Sequence, residues 1–248
     1  MSVTGDPAGG EPVKAGTPVT DMGAGMYGAL GIVSALYHRQ FSGRGQHVEA
    51  TLLDTPISWL TWRAAEYWGT GRVPEPQGSG QGAYRAFKCA DGRWVNVGAS
   101  HRLWPVLCRT LGVPELVDDP RFATATARVE NHRALSEALQ EAFLRRPSTE
   151  WIPLLQQAGL PSGPIKTIPE VLDEDPHVRA REMVVEVDHP VIGRMKTLGV
   201  PIKLSETPGA VTRAAPTLGQ HTAEILSELG YTESEIDDLR EAKVIAVG

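Results

Sequence analysis

The sequence predicts a mixed α/β fold. Segments with a helical hydrophobic period alternate with short segments in which polar and apolar side chains alternate, which is the pattern of a half-buried strand. The 248 residues are 41% hydrophobic and 22% charged, as in ordinary globular proteins. Stretches rich in glycine and proline interrupt both patterns and divide the chain. The net charge of −6, without any basic run, gives no reason to expect nucleic-acid binding.

The first part of the chain predicts a helix, a strand and a second helix, an order typical of half an α/β layer. The first helix is expected to begin at Asp21, a good N-cap acceptor, and to end near Gly43, where glycine permits a positive φ. A strand is expected over Gln46–Leu52 and a helix over Asp54–Trp68. The apolar run Gly23–Leu36 is shorter than the roughly 18 to 20 residues of a membrane span, so we expect a buried helix and no membrane segment.

The middle of the chain predicts a small α+β arrangement. Residues 69–82 break every period and are interpreted as a linker. Strands over Tyr84–Lys88 and Trp94–Val97, joined by the turn Asp91-Gly92, predict a hairpin. Three helices follow, at about Leu103–Leu111, His132–Phe143 and Thr149–Ala158, the last with Ser148 in its N-cap region and Gly159 at its end.

The last part of the chain predicts a hairpin between helices. Its segments are a helix near Ile168–Glu174, a strand over Met183–Val187, a turn at Gly193, a return strand over Met195–Ile202, and helices over His221–Leu229 and Glu233–Ala242.

Six short segments carry a resemblance to a known family. They are Met-Ser-Val-Thr-Gly at 1–5, Pro-Val-Thr-Asp-Met-Gly-Ala-Gly-Met-Tyr at 18–27, Ser-Gly-Arg-Gly-Gln-His-Val-Glu at 42–49, Asp-Pro-Arg-Phe at 119–122, Gly-Leu-Pro-Ser-Gly-Pro at 159–164 and Leu-Gly-Gln-His-Thr at 218–222. In their order and spacing they resemble the family III CoA-transferases, a group that includes formyl-CoA and carnitine CoA-transferases and α-methylacyl-CoA racemase. The resemblance covers nearly the whole chain.

The resemblance implies an incomplete Rossmann-like large domain with a smaller α+β domain, in a dimer of the interlocked type. Residues 1–68 would be the remainder of the large domain and 69–82 a linker with a glycine-rich loop. Residues 83–166 would form the small domain, and 167–248 a return linker and the C-terminal part of the large domain. Family members carry a preceding segment with most of the CoA contacts, so we expect a truncated, mis-started or split chain.

The resemblance implies that Asp21 is the catalytic nucleophile of a CoA-transferase that works through an aspartyl anhydride and an aspartyl-CoA thioester. A carboxylate in the first turn of a helix is stabilised as an anion by the helix dipole, which suits this role. Gly23 and Gly25 would let the thioester approach the helix closely. Taken without the resemblance, these residues are better explained by a common N-cap and by close helix packing than by catalysis.

Gly78, Ser79, Gly80 and Gln81 resemble the glycine-rich loop that covers the active site of formyl-CoA transferase and shields the intermediate from water. The resemblance assigns them to the binding of the CoA thioester. A mobile cover that excludes water protects reactive acyl intermediates. A flexible interdomain linker is the alternative reading of the same residues.

His101 separates the branches of the family. Racemases carry a glutamate of the acid/base apparatus at the matching position. Histidine can also move protons near neutral pH, so a racemase or epimerase stays an alternative. A cap on the helix that starts nearby would explain His101 more simply. A non-catalytic subunit that docks on a partner through a sheet edge is the remaining alternative.

The expected substrates are an acyl-CoA and a carboxylic acid, with coenzyme A as a substrate and no permanently bound cofactor. A homodimer, or a partner chain that supplies the missing N-terminal segment, is expected. Residues 1–10 lack the features of a signal peptide, which predicts a cytoplasmic protein. Cys89 and Cys108 are expected to be buried apolar residues, and the scattered histidines predict no metal site.

Overall fold

The computed structural model describes residues 13–74 and 84–246, which belong to two compact units, residues 1–165 and residues 166–248. Within the described residues, the main hydrophobic core lies entirely between Phe87 and Leu160.

Helix α1 spans Val19–Ser42 and ends, as predicted, at Gly43, whose φ of 68° is left-handed. Its start corrects the prediction that Asp21 is the N-cap, because Pro18 occupies that position. Proline has a fixed φ and lacks an N–H group, so it starts the helix without a side-chain cap. Asp21 is therefore the third residue of the helix and lies in its first turn.

Helix α1 is not the buried helix that we predicted, since Gly23 is its one buried residue. A face of small residues that includes Gly23 and Gly31 packs on residues 48–59. Outside these contacts α1 carries exposed large apolar residues, six of which are here called the apolar stripe: Met22, Met26, Leu30, Val33, Tyr37 and Phe41. By length and composition alone α1 could cross a membrane, a test that the core helices of soluble proteins also pass.

The strand predicted over Gln46–Leu52 is not formed, and residues 44–50 have no regular secondary structure. A strand requires a neighbour for its backbone hydrogen bonds, and the described strands pair only with one another. Val48 packs instead on α1, where its Cγ1 lies 2.7 Å from the position that a Cβ on Gly31 would occupy. The alternating pattern here therefore reflects packing against a helix.

The helix predicted over Asp54–Trp68 is broken in two. Helix α2 spans Asp54–Ser58 and helix α3 spans Trp62–Thr70. The break lies at Thr61, which has a φ of 41° and cannot continue a right-handed helix.

A three-stranded antiparallel sheet begins the next part of the same unit. Strands β1 (Tyr84–Lys88) and β2 (Trp94–Gly98) form the predicted hairpin, with Gly92 at a φ of 76° in the turn. Strand β3 (Ser162–Pro164) pairs with the other edge of β2. Phe87, Val95 and Val97 are the buried side chains of β1 and β2 that join the core.

Four helices belong to the same part of the unit. They are α4 (Trp104–Leu111), α5 (Ala125–Glu130), α6 (His132–Phe143) and α7 (Ser148–Gln157). The prediction for α6 is confirmed at both ends. At its end Phe143 stacks on Phe87 with a centroid distance of 4.6 Å. Cys89 and Cys108 are buried as predicted, and burial raises their pKa values to about 11 and about 12, so neither thiol ionises near neutral pH.

Helix α7 begins differently from the prediction, because Pro147 is its N-cap and Ser148 its first residue. The capping group comes from the hairpin turn, 57 residues away. Asp91 Oδ2 accepts hydrogen bonds from Ser148 N at 2.9 Å and from Ser148 Oγ at 2.7 Å. These bonds join the sheet to the helical layer of the core.

The second unit is a β-hairpin with short helices. Strand β4 (Val184–His189) pairs antiparallel with β5 (Gly193–Leu198), which ends earlier than the predicted strand Met195–Ile202. The segment Glu170–Glu174 is a π-helix at the place of the predicted helix Ile168–Glu174. The remaining helices are α8 (Pro176–Ala180), α9 (Thr222–Glu228) and α10 (Glu233–Glu241).

Candidate active site

Asp21 lies in the first turn of α1 with its side chain exposed. The backbone N–H groups of a first helical turn point toward the N-terminus, and their partial positive charge stabilises a carboxylate there. Thr20 Oγ1 donates a hydrogen bond to Asp21 Oδ2 at 3.2 Å. The carboxylate is thus both accessible to a substrate and supported as an anion, which are the requirements of an oxygen nucleophile.

Gly25 lies one turn after Asp21, and residues four apart share a face of a helix. No described atom outside the backbone of α1 lies within 4 Å of the place where a Cβ on Gly25 would stand. A side chain at this position would cover the carboxylate side of the helix. The glycine therefore leaves space beside Asp21, and its contact with a thioester stays a prediction.

Gly23 has a different environment from the one predicted, because a protein side chain fills the space at its Cα. A Cβ on Gly23 would stand 2.3 Å from Cη2 of Trp59 and 2.7 Å from Cγ2 of Thr55. Gly23 is therefore required for the close approach of α1 to α2. The prediction that it makes room for a thioester is replaced by this packing role.

A cluster of polar and aromatic side chains next to Gly23 was missed in the sequence analysis. Trp59 Nε1 donates to the Tyr27 hydroxyl at 3.0 Å, and this hydroxyl lies 3.2 Å from Ser58 Oγ. Hydrogen bonds with Ser58 and then Trp59 lower the pKa of Tyr27. The cluster joins residues 31 and 32 positions apart, so no local sequence signal could have revealed it.

The loop residues Gly78, Ser79, Gly80 and Gln81 lie outside the described residues. Their assignment to a glycine-rich cover, or to a linker, stays a prediction.

His101 is the first residue of a 3-10 helix, and it does not supply the predicted cap, since that helix has no side-chain cap. Its Nδ1 lies 2.6 Å from Nη2 of the buried Arg128. Because a guanidinium can only donate, Nδ1 accepts and the neutral ring carries its proton on Nε2. Arg128 is itself held by Phe122 O, which accepts from Nη1 at 2.6 Å. This bond occupies one of the two ring nitrogens that proton transfer could use.

Among residues 13–74 and 84–246, no group of three or more His, Cys, Asp or Glu side chains is arranged to hold a metal ion.

Comparison with known proteins assigns the chain to a group. A family model described as CoA-transferase family III matches residues 1–222. Succinyl-CoA:glutarate CoA-transferase of Mus musculus is 32% identical over 243 residues, which are 96% of this chain. Succinyl-CoA--D-citramalate CoA-transferase of Chloroflexus aurantiacus is 34% identical over 239 residues, or 94% of this chain. A crystal structure of a CaiB/BaiF family protein from Brucella suis is 31% identical with a TM-score of 0.73, and the match covers 92% of this chain.

The matches also show how much of each relative is represented. The chain spans 55% of the length of the Mus musculus enzyme, 59% of the Chloroflexus aurantiacus enzyme and 60% of the Brucella suis chain.

Proposed function

The chain belongs to CoA-transferase family III, and we propose that it serves in the transfer of coenzyme A between carboxylic acids, with Asp21 as the nucleophile. The proposal concerns the assembled protein that contains this chain, either as a homodimer or together with a partner chain. An incomplete Rossmann-like large domain, an interlocked dimer and a cytoplasmic location are parts of the same proposal.

The observation that carries the proposal is the position of the Asp21 carboxylate. It is exposed in the first turn of α1, and the side of the helix next to it is left open by Gly25. An exposed carboxylate is an ordinary surface feature, but a carboxylate with an open helix face beside it offers room for a second molecule. A planar thioester carbonyl could approach the oxygen there without displacing a side chain.

The proposed reaction proceeds through acyl groups on Asp21. An Asp21 oxygen attacks the thioester carbonyl of the donor acyl-CoA, which forms a mixed anhydride and releases the CoA thiolate. The thiolate then attacks the Asp21 carbonyl, which gives aspartyl-CoA thioester and the free donor acid. The acceptor carboxylate attacks the carbonyl of this thioester, which forms a second mixed anhydride and releases the thiolate again. Attack of the thiolate on the acceptor acyl carbon of the new anhydride yields the product acyl-CoA and restores the Asp21 carboxylate.

Each of these steps passes through a tetrahedral oxyanion, which needs positioned N–H donors. The anhydride and the thioester are sensitive to hydrolysis, so the site must also exclude water. We propose that Gly78, Ser79, Gly80 and Gln81 provide this cover over the bound thioester. Gly25 would serve as a contact surface for the thioester, while Gly23 would act through its packing on Trp59.

The names of the relatives suggest where to begin with substrates. Succinyl-CoA appears as the donor in the names of the Mus musculus and Chloroflexus aurantiacus enzymes. Succinyl-CoA with glutarate is therefore the first pair to assay. Formyl-CoA with oxalate, named for a relative from Streptomyces avermitilis that is 34% identical, is the second.

The experiment that tests the proposal traps the acyl group on the nucleophile. The protein expressed from its complete gene is incubated with succinyl-CoA and hydroxylamine, and its peptides are analysed by mass spectrometry. We expect a hydroxamate on Asp21, and we expect Asp21→Asn to lower the transfer rate by about 10³-fold or more. Asp54→Asn is the matched control, because Asp54 is also an exposed aspartate in the first turn of a helix.

The control variant should keep both the activity and the label on Asp21. A label on a different carboxylate, or full transfer activity in Asp21→Asn, would overturn the assignment of the nucleophile.

A further inference from the structure

The start of α1 is held in place by a small set of contacts with α2. Between residues 13 and 74, Gly23 and Thr55 are the buried residues, and they lie against each other. The contacts that fix the Asp21 turn within this region are therefore concentrated at one point. Trp59 and Tyr27 form the rest of it.

The first contact is the packing of the Trp59 indole against the backbone of α1 at Gly23. Two carbons of the Trp59 indole, Cη2 and Cζ2, lie 2.3 and 2.5 Å from the position of a Cβ on Gly23. The indole therefore takes the place that a side chain would fill, and α1 lies directly on it. A helix held at such a short distance cannot rotate about its axis without moving the indole.

The second part is a closed set of hydrogen bonds between the two helices. A Trp indole can only donate, so the Tyr27 hydroxyl accepts from Trp59 Nε1 at 3.0 Å. Ser58 Oγ donates its single proton to Thr55 O at 2.7 Å. In the neutral cluster the Tyr27 hydroxyl must therefore donate to Ser58 Oγ, 3.2 Å away. Tyr27 thus forms hydrogen bonds with Trp59, whose ring packs on Gly23, and with Ser58, which precedes Trp59 in the chain.

We infer that Tyr27 and Trp59 are positioning residues for Asp21, acting as a clamp on the first turns of α1. Successive helical residues are about 100° apart, so Asp21 and Gly23 lie on opposite sides of α1. The clamp therefore contacts α1 at Gly23, on the side opposite Asp21, and leaves the carboxylate side open. The inference rests on the proposed function, since positioning has a measurable effect only if Asp21 attacks a substrate.

The physical reason to expect an effect on rate is the sensitivity of nucleophilic attack to geometry. Reacting atoms must be held about 3 to 3.5 Å apart with aligned orbitals, and a displacement of about 1 Å can cost about 10²-fold in rate. Loss of the Tyr27 hydroxyl leaves the ring contacts of a phenylalanine in place. Its consequence should therefore be looser positioning of α1 without unfolding.

The test compares Tyr27→Phe with Tyr37→Phe in the protein expressed from its complete gene. Tyr37 lies on the exposed apolar stripe of the same helix, away from Trp59. For Tyr27→Phe we expect kcat to fall about tenfold while KM for the acyl-CoA stays within about twofold. The rate of hydroxylamine trapping on Asp21 should fall in parallel. Tyr37→Phe should match the wild type in all three measurements.

Trp59→Phe is the second variant, because it removes the N–H donor together with the indole carbons Cη2 and Cζ2 that pack on Gly23. It should repeat the fall in kcat in the same direction. Unchanged kcat and trapping rate in both Tyr27→Phe and Trp59→Phe would overturn the clamp, and a loss of thermal stability alone would do the same. A wild-type protein that forms no adduct on Asp21 would overturn the proposed function together with the clamp, which distinguishes the two failures.

Discussion

Residues 84–165 and residues 13–74 differ in where their large apolar side chains lie. The first region encloses the main core, in which Phe143 is 0% exposed and stacks on Phe87. The second region carries Asp21, and its apolar side chains are mostly exposed, with Phe41 at 75%. Both regions contain well-formed helices, yet only one of them covers its helices with its own side chains.

This difference shows that the region proposed to carry the chemistry is the one that leaves apolar surface free for other contacts. Contiguous exposed apolar patches of this kind are rare on soluble monomers and mark interaction surfaces. The six residues of the apolar stripe are exposed, so they offer apolar surface for contact with another surface.

The largest expected effect is a difference in stability between two phenylalanines. Phe143→Ala should lower the free energy of unfolding by about 3 to 5 kcal/mol, because it removes a fully buried ring and leaves a cavity. Phe41→Ala should change it by less than about 0.5 kcal/mol, since an exposed side chain is lost from a helix surface. Urea unfolding of the 248-residue chain, followed by tryptophan fluorescence, to which the buried Trp104 and Trp151 contribute, measures both.

Comparable losses in the two variants would break the comparison. That result would mean that Phe41 is covered in solution, and the oligomeric state of the chain would then identify a second copy as the cover. Equal retention of stability would instead show that the core around Phe143 collapses around the cavity.

A smaller effect is expected from two glycines of α1. Gly23→Ala should disturb the contact with α2, because the new Cβ would stand 2.3 Å from the Trp59 ring, and such overpacking costs about 1 to 3 kcal/mol. Gly25→Ala enters open space and should stabilise the helix by up to about 1 kcal/mol through higher helix propensity. Hydrogen exchange of the amides of α1 and α2 should be faster in the first variant and slower in the second.

The opposite result for the two variants would reverse the assignment of the packed and the open side of α1. Faster exchange in Gly25→Ala with normal exchange in Gly23→Ala would mean that the carboxylate side of α1 is the packed side. The proposed approach of a thioester along Gly25 would then lose its structural support.

The same contrast explains which features the sequence could predict. The hairpin around Asp91-Gly92 and the helix His132–Phe143 were predicted because their turn residues and apolar period are local signals. The strand over Gln46–Leu52 was wrong because alternation of side chains does not supply a neighbouring strand. The burial of α1 was wrong for a related reason. An apolar run indicates that a helix has apolar faces, but it does not indicate what covers them.

The candidate site shows the same limit. Asp21 came from a motif, and its place in the first turn followed from the helix start. The clamp of Tyr27 and Trp59 depends on contacts between residues 32 positions apart. The bond between His101 and Arg128 also joins residues far apart in the sequence, 27 positions. Such contacts arise from tertiary packing, so the sequence pattern could give the residue types without their pairing.

The smallest expected effect is a pH dependence of the stability of residues 84–165. The hydrogen bonds from the Ser148 side chain and backbone lower the pKa of Asp91, against a smaller opposing effect of desolvation. A lowered pKa in the folded state means that ionised Asp91 stabilises the fold. This contribution is complete above the unfolded value of about 3.9 and is lost as the pH falls through the folded pKa.

Asp91→Asn should therefore be less stable than the wild type at about pH 7, and the difference should shrink as the pH falls below about 4. Urea unfolding at a series of pH values measures it, and using the difference between the two proteins cancels the titration of the other carboxylates. Ser148→Ala keeps the backbone donor and loses Oγ, so it should remove part of the same pH dependence. A difference between wild type and Asp91→Asn that stays constant down to low pH would show that this carboxylate is not needed as an anion to join the hairpin to α7.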